Sequence, residues 1–427
     1  MKEELLHYIW QFQLFDKSKL FTEEGKALNI IRVGNLNRES GPDFLQAQIK
    51  IDEMMWFGAV EIHIEATDWD LHRHQYDNAY DNVILHVAWS SKGQVYRNDG
   101  SPLPTLLMSE RINPLILSRY TTLLDGFRHK KLACSRYLSS VPEIQKIMAL
   151  EKAAVSRLDK KCQEILLRYH SHEQDWQQTA FHTICRSFGF KANAQAMDHL
   201  GAILPYVAIQ KEHAFFESIF CLLFNLSGML DEKTVKAEKL DLGHAEHLTR
   251  KYRLQHSRME KRSFKWAPLR PANFPDVRLF QLAVLLFHRQ QLTSFLLETN
   301  SIEDFTSFFA ELNSFIKKHQ WLNRKVSAMG KDSIYSLLIN SVIPFRYAYG
   351  KHLSDEGLQE SALELWQKIP AEQNRYTRLF SENHFQIKSA FDSQACIQQY
   401  QSLCEKHQCL QCSIGASIMK NHDLVVT

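Results

Sequence analysis

Six side chains that can bind metals or move protons, Asp43, Glu61, His63, His72, His74 and Asp77, fall within one short span of the chain. Two carboxylates brought to ~4 Å repel by about 4 kcal/mol at an effective dielectric of about 20, unless a cation sits between them. Asp43 and Glu61 would therefore make a fair site for Mg²⁺ or Mn²⁺, hard cations that take oxygen ligands and keep waters that can be activated. His63 beside them would bind metal or accept a proton near neutral pH. The run "DWDLHRHQYD" adds His72, His74 and Asp77, and a His-x-His pair with a carboxylate suits Zn²⁺ or Mn²⁺. The competing reading has Asp43 capping a turn, Glu61 solvated on a strand and the histidines packing or hydrogen-bonding.

The elements that would position these groups are short strands. "ALNIIRV", "FLQAQIKI", "MMWFGAVEIHIEAT", "NVILHVAWS" and "LPTLLM" are β-branched or aromatic runs between turn residues, preceded by the helical "EELLHYIWQF". Glu61 and His63, two apart on one strand, share a face. A two-residue turn at Asp52-Glu53 sets Asp43 opposite Ile62, on the wrong side. A three-residue loop, or a bulge at Gly58, moves Asp43 beside His63. On a helix, His72 and His74 would diverge by about 200°, so sharing a metal requires a turn or extended backbone there. His86, inside "NVILHVAWS", reads as a core histidine.

From about Ile112 the texture changes to long 3.6-residue periods, such as "EKAAVSRLDKKCQEILLRY", "FFESIFCLLFNLSGML", "VRLFQLAVLLFHRQQ" and "SALELWQKI". The expected class is α+β, with a mixed-sheet domain over 1–111 and a helical region over 112–427. The loop "WAPLRPANFPDV" would divide that region near 266–278, and a cysteine-containing segment ends it. With 51 Lys and Arg against 48 acidic residues, the net charge of +3 gives no global signature for a polyanion. The acids and histidine near Met1 do not read as a signal peptide, and no apolar run approaches membrane-spanning length. A soluble, cytoplasmic protein with no membrane partner is expected.

Two further clusters stand out. Cys404, Cys409 and Cys412 are three close thiols, one short of a structural zinc site that His407, Cys396 or the distant Cys134 would complete. Buried, inert cysteines are the alternative. Between Arg250 and Arg270, eight Lys or Arg interleave with Tyr252, Phe264 and Trp266, a composition that suits phosphates and exposed bases. A solvated helix face with its aromatics in the core is the favoured reading. Arg250, Lys251, Arg253, Arg270, Asn273 and Arg278 are the candidate nucleic-acid contacts, the last three on the extended "RPANFPDVR". No glycine-rich phosphate loop precedes a lysine, which argues against an NTPase.

Pro42-Asp43 followed by Glu61-Ile62-His63 resembles the signature of the PD-(D/E)XK nuclease-like superfamily, whose core runs helix, three strands, helix, strand. The resemblance implies that Asp43 and Glu61 are Mg²⁺ or Mn²⁺ ligands, with His63 where the superfamily has its water-positioning lysine. The whole chain more specifically resembles an uncharacterised bacterial family, domain of unknown function 2851, through "GPDF", "VEIH", "DWDLHRH", "NVILHV", "FGFKAN", "RPANFPDVR", "NSVIPFRYAYG" and "CLQCSIG".

Three functions compete. The first is a metal-dependent phosphodiester hydrolase on nucleic acid, with Asp43, Glu61 and His63 catalytic and His72 or His74 assisting. The second is a nuclease-like fold that binds nucleic acid or a protein without cleaving. The third is a His-x-His metallohydrolase of a small molecule.

Overall fold

The computed structural model describes residues 2–37, 39–126 and 132–420. Its first element, α1 (Glu3–Gln11), turns Leu5, Leu6, Ile9 and Trp10 into the interior, all fully buried. The Trp10 indole donates to the Val33 carbonyl at 3.0 Å, which ties the helix to the sheet. The strands are β1 (Leu28–Arg32), β2 (Asn35–Leu36), β3 (Phe44–Ile51), β4 (Met54–Glu65), β5 (Val83–Ser90) and β6 (Thr105–Leu107). Between β4 and β5 lie a one-turn helix, α2 (Asp68–Leu71), and the 3₁₀ turns His74–Tyr76 and Asn78–Tyr80.

The sheet runs β1-β3-β4-β5-β6, with β2 also paired to β3. Its first pairs are antiparallel, while β4–β5 and β5–β6 are parallel. The mixed sheet and its element order are those expected, apart from β2, which is too short to carry a period. Val83 to Ala88 are all buried, so β5 is covered on both faces and reads as a continuous apolar run instead of an alternating one. Trp69 of α2 packs with Ala59, Val83, Ala88 and Leu103, and its indole donates to the Tyr96 carbonyl at 3.0 Å.

The remainder is helical. Among the described residues beyond β6, pairing of the strand type is limited to the isolated bridges Val235–Leu322 and Pro370–Ser389. The periodic runs become α3 (Pro114–Gly126), α4 (Glu143–Ser171) and the helices Phe216–Leu226, Pro275–His288 and Glu356–Lys368. Every residue of Phe216–Leu226 except Glu217 is buried, as an all-round apolar sequence requires. No helix among the described residues is long and apolar enough to cross a membrane.

The chain forms two compact units: Met1–Ala149 with Tyr400–Thr427, and Leu150–Gln399. The change of texture near 111 is thus a change of secondary structure, since α3 belongs with the sheet. The C-terminal cysteine segment belongs to the same unit, and the unit Leu150–Gln399 continues through 266–278 without division.

Candidate metal centre

The placement of Asp43 depends on one irregularity. Ile51 pairs with Met54, so the β3–β4 turn does have two residues, Asp52 and Glu53, and unbroken pairing would set Asp43 opposite Ile62. Between the pairs Ala47–Gly58 and Phe44–Val60, however, β3 carries one residue more than β4, and Gln46 takes a left-handed φ of 59°. One step beyond Phe44–Val60, Asp43 lies opposite Glu61. The expected bulge is therefore present but on the other strand, and the expected neighbour His63 is replaced by Glu61. Asp43 reaches the Glu61 face either way. Gly58 serves a different purpose: a Cβ there would come within 2.4 Å of the Asn82 carbonyl oxygen, so its hydrogen side chain lets the start of β5 approach.

Hydrogen bonds fix both carboxylates. The Asp43 N–H donates to Glu61 Oε2 at 3.0 Å, and Asp43 Oδ2 accepts from the Ile62 N–H at 2.9 Å. Asp43 Oδ2 also lies 3.2 Å from Nε2 of His7, contributed by α1. Glu61 turns its other oxygen, Oε1, to within 3.7 Å of His63 Nε2 and 3.5 Å of His74 Nε2.

The two histidines of the His-x-His pair join this group through a backbone reversal. His72 ends α2, Arg73 adopts a left-handed conformation at φ 59°, and His74 opens the next 3₁₀ turn. That single residue brings together side chains which a continuous helix would send to different sides. One ligand atom from each of His63, His72 and His74 lies within 4.8 Å of the others. Tyr80 stacks on His74 with ring centroids 3.9 Å apart, and Trp69 lies 5.5 Å from the same ring. These walls confine the His74 ring, whereas His72 is exposed.

Burial sets the charges. Glu61 is pushed up to about 9, first by burial and then by the Asp43 charge, so it holds a proton at neutral pH. His63 is pushed down to about 3 by burial and then by His74 and His72, and His86 to about 3 by burial and then by His63. His74 is also lowered, by burial and then by His72. For His7, burial opposes the charged ring, but the hydrogen bond and charge of Asp43 outweigh it and raise its pKa. Neutral imidazoles with unprotonated nitrogens are the form that binds metal.

This donor set fits a transition metal better than Mg²⁺. Three imidazoles and one carboxylate match Zn²⁺ or Mn²⁺, whereas Mg²⁺ takes oxygen ligands. His63 Nδ1 lies 2.9 Å from His86 Nε2. With the proton on His63 Nδ1, His86 accepts it and the His63 Nε2 lone pair is left for the cluster, the outer contact that ligating histidines commonly make. His86 is fully buried, as a core histidine should be, and it also orients a candidate ligand. His7 carried no signal in the sequence, since one histidine in an apolar helix does not announce its partner. Asp77 lies outside the cluster and caps the turn after it, accepting from the Ala79 N–H at 2.9 Å.

The basic residues of the unit Leu150–Gln399 are used differently. Arg250 pairs with Glu246 at 3.2 Å and Lys251 with Glu212 at 2.6 Å. Arg253 is exposed and left-handed, Arg270 and Asn273 are exposed, and Phe264 is in the core. The extended loop expected to carry Arg278 ends sooner: Pro275 starts a helix, and Arg278 is buried in its first turn. Its guanidinium donates to Gln281 at 2.9 Å, Asn273 at 2.5 Å and Ser333 at 3.0 Å, and lies over the Phe190 ring. A side chain so engaged helps to hold the fold, and it also lines a cavity of about 580 Å³ with Lys191, Lys265 and Asn273. Arg250 borders a cavity of about 790 Å³ shared with Asp231, Glu232 and Glu246, a mixed-sign lining ill suited to a polyanion. Cys404, Cys409 and Cys412 lie in one short segment, at the end of the π-helical turn Tyr400–Cys404 and around the 3₁₀ turn Cys409–Gln411.

No curated protein and no solved structure matches the chain. The nuclease-superfamily resemblance accordingly gains no support from relatives or neighbours. The family comparison does match, from α1 through the helical unit to Arg375, and leaves the "CLQCSIG" segment outside the matched span. The chain belongs to the family described as proteins of unknown function (DUF2851), whose model covers residues 3–375.

Proposed function

We propose that the N-terminal unit carries a metal-dependent phosphodiester hydrolase centre acting on nucleic acid, in which His63, His72, His74 and Glu61 hold a Zn²⁺ or Mn²⁺ ion. The observation that carries this reading is the convergence of three imidazole ligand atoms within 4.8 Å, beside a buried carboxylate. A bound ion would polarise a phosphoryl oxygen and supply an activated water. The chain's own groups would do the rest. Glu61 would lose its proton to solvent on holding the ion, and the Asp43 carboxylate, 3.2 Å from His7 Nε2, raises the pKa of that imidazole, which would favour it as a proton donor to a leaving oxygen. The phosphodiester class is supported by the strand order and by Pro42-Asp43 and Glu61-x-His63 on neighbouring strands, in the manner of the PD-(D/E)XK core.

Two observations favour a second reading, a nuclease-like fold that binds without cleaving. His63 stands where a lysine would be and is held neutral by burial, and Asp43 is already occupied by the Ile62 N–H and His7. Labelled single- and double-stranded DNA and RNA, incubated with the protein and Mn²⁺, Zn²⁺ or Mg²⁺, separate the two. Cleavage lost in His74→Ala and Glu61→Gln supports the hydrolase. Retention on a gel without cleavage supports the binder. Neither binding nor cleavage, with hydrolysis of a small activated phosphodiester, moves the centre to small-molecule chemistry.

A further inference from the structure

We infer that Cys134, Cys404, Cys409 and Cys412 form a tetrathiolate zinc site that staples the C-terminal segment to the rest of the N-terminal unit. These four residues line one small void of about 20 Å³, together with Ala133, Leu403 and Gly415. Four of the chain's eight cysteines meet there, although Cys134 is far from the other three in sequence. Cys396 and His407, the other candidates to complete the set, are not among the lining residues. Each of the two contributing segments lies in the same compact unit.

The local backbone suits a ligand loop. Cys409 opens a single 3₁₀ turn and Cys412 follows it, and His407 reverses the chain between Cys404 and Cys409 with a left-handed φ of 59°. Gly415 lies so close that a Cβ would stand 2.1 Å from the Cys409 carbonyl oxygen, so only glycine lets the helix Ser413–Lys420 close over the turn. That helix reaches α1, where the Tyr8 hydroxyl donates to the Ala416 carbonyl at 3.3 Å.

Size and chemistry select the ion. A void of about 20 Å³ holds one atom-sized guest, about the space of a single water probe. Four sulfur donors select a soft or borderline ion in tetrahedral geometry, and zinc is the usual occupant. The thiols ring the void more widely than the three histidines ring theirs. Zinc would draw the sulfurs to the ~3.8 Å separations that ~2.3 Å Zn–S bonds impose on a tetrahedron. A staple here would tie residues beyond Tyr400 to the segment before α4, within one compact unit.

The test uses the full chain purified without chelator, in a His72→Ala/His74→Ala background that removes the other candidate site. Elemental analysis should find about one zinc per chain, released by a thiol-blocking mercurial, and less than about a tenth of that after Cys134→Ser is added. Should Cys134→Ser fail to fold, cobalt substitution in the His72→Ala/His74→Ala protein keeps the question open to refutation: it should give intense sulfur-to-cobalt charge-transfer bands. Full zinc occupancy after Cys134→Ser, no zinc in the histidine variant, a cobalt spectrum without thiolate bands, or iron with acid-labile sulfide would each overturn the assignment.

Discussion

The sheet of the N-terminal unit and the basic stretch of the helical unit are both rich in polar side chains, yet the fold treats them in opposite ways. At the sheet, Glu61, His63 and His74 point into a shared interior with no cation among them. The result is a carboxyl group raised to about 9, the His63 imidazole lowered to about 3 and the His74 imidazole lowered as well. In the helical unit, Arg250 and Lys251 have acidic partners, and Arg278 is buried under three hydrogen bonds. Density of chemical side chains is common to both regions. Only the sheet leaves ligand atoms gathered and unsaturated by opposite charge, and that is the property that predicts a bound ion.

The comparison breaks most easily at Trp69. This fully buried side chain walls His74 and fills the space under β5, so Trp69→Ala should cost about 3–5 kcal/mol in denaturant unfolding and weaken metal binding as well. Arg278→Ala should come next, at about 2–4 kcal/mol, because Asn273, Gln281 and Ser333 all lose their partner. It should leave metal affinity at the sheet unchanged. If Arg278→Ala unfolds normally but loses nucleic-acid binding, the structural role given to it is wrong.

A smaller effect concerns protons. The folded pKa of Glu61 lies above its unfolded value, so its contribution to apo stability is present below about 4.5 and is lost as pH rises through about 9. Metal must displace that proton. Affinity at the sheet should therefore climb up to about tenfold per pH unit between 5 and 9, with up to one proton released per ion at pH 7. Titration in buffers of different ionisation enthalpy reads that proton directly, and Glu61→Gln should abolish the dependence. The smallest effect is expected of Arg250→Ala, whose exposed pair with Glu246 is worth about 0.5 kcal/mol or less in unfolding experiments.

Much of this architecture is legible in the sequence. Period-2 and period-3.6 patterns separate the sheet from the helices, and Glu61 and His63 share a face because residues two apart on a strand must. The features that assemble the site are less visible. Gln46 and Arg73 take left-handed conformations without being glycine, asparagine or aspartate, so neither the side on which the bulge falls nor the turn joining His72 to His74 is written in residue types. His7 enters from α1, and Cys134 meets three thiols far away in the chain, contacts that only tertiary packing creates. Arg278 reads as a loop residue because Pro271 and Pro275 suggest extended chain, whereas Pro275 occupies the first turn of a helix whose next residues, Asp276 to Arg278, are all buried.

The central claim is that the imidazoles, with Glu61, are the ligands, and that Asp43 only holds the frame around them. Calorimetric titration of Mn²⁺ or Zn²⁺ into the parent, His72→Ala/His74→Ala and Asp43→Ala proteins, each in a Cys134→Ser background, tests this most directly. The account predicts an affinity at least about 100-fold weaker in the double histidine variant and a loss of about tenfold or less in Asp43→Ala, the size expected of a group outside the metal's own ligands. Equal affinity in the parent and the double histidine variant would contradict it.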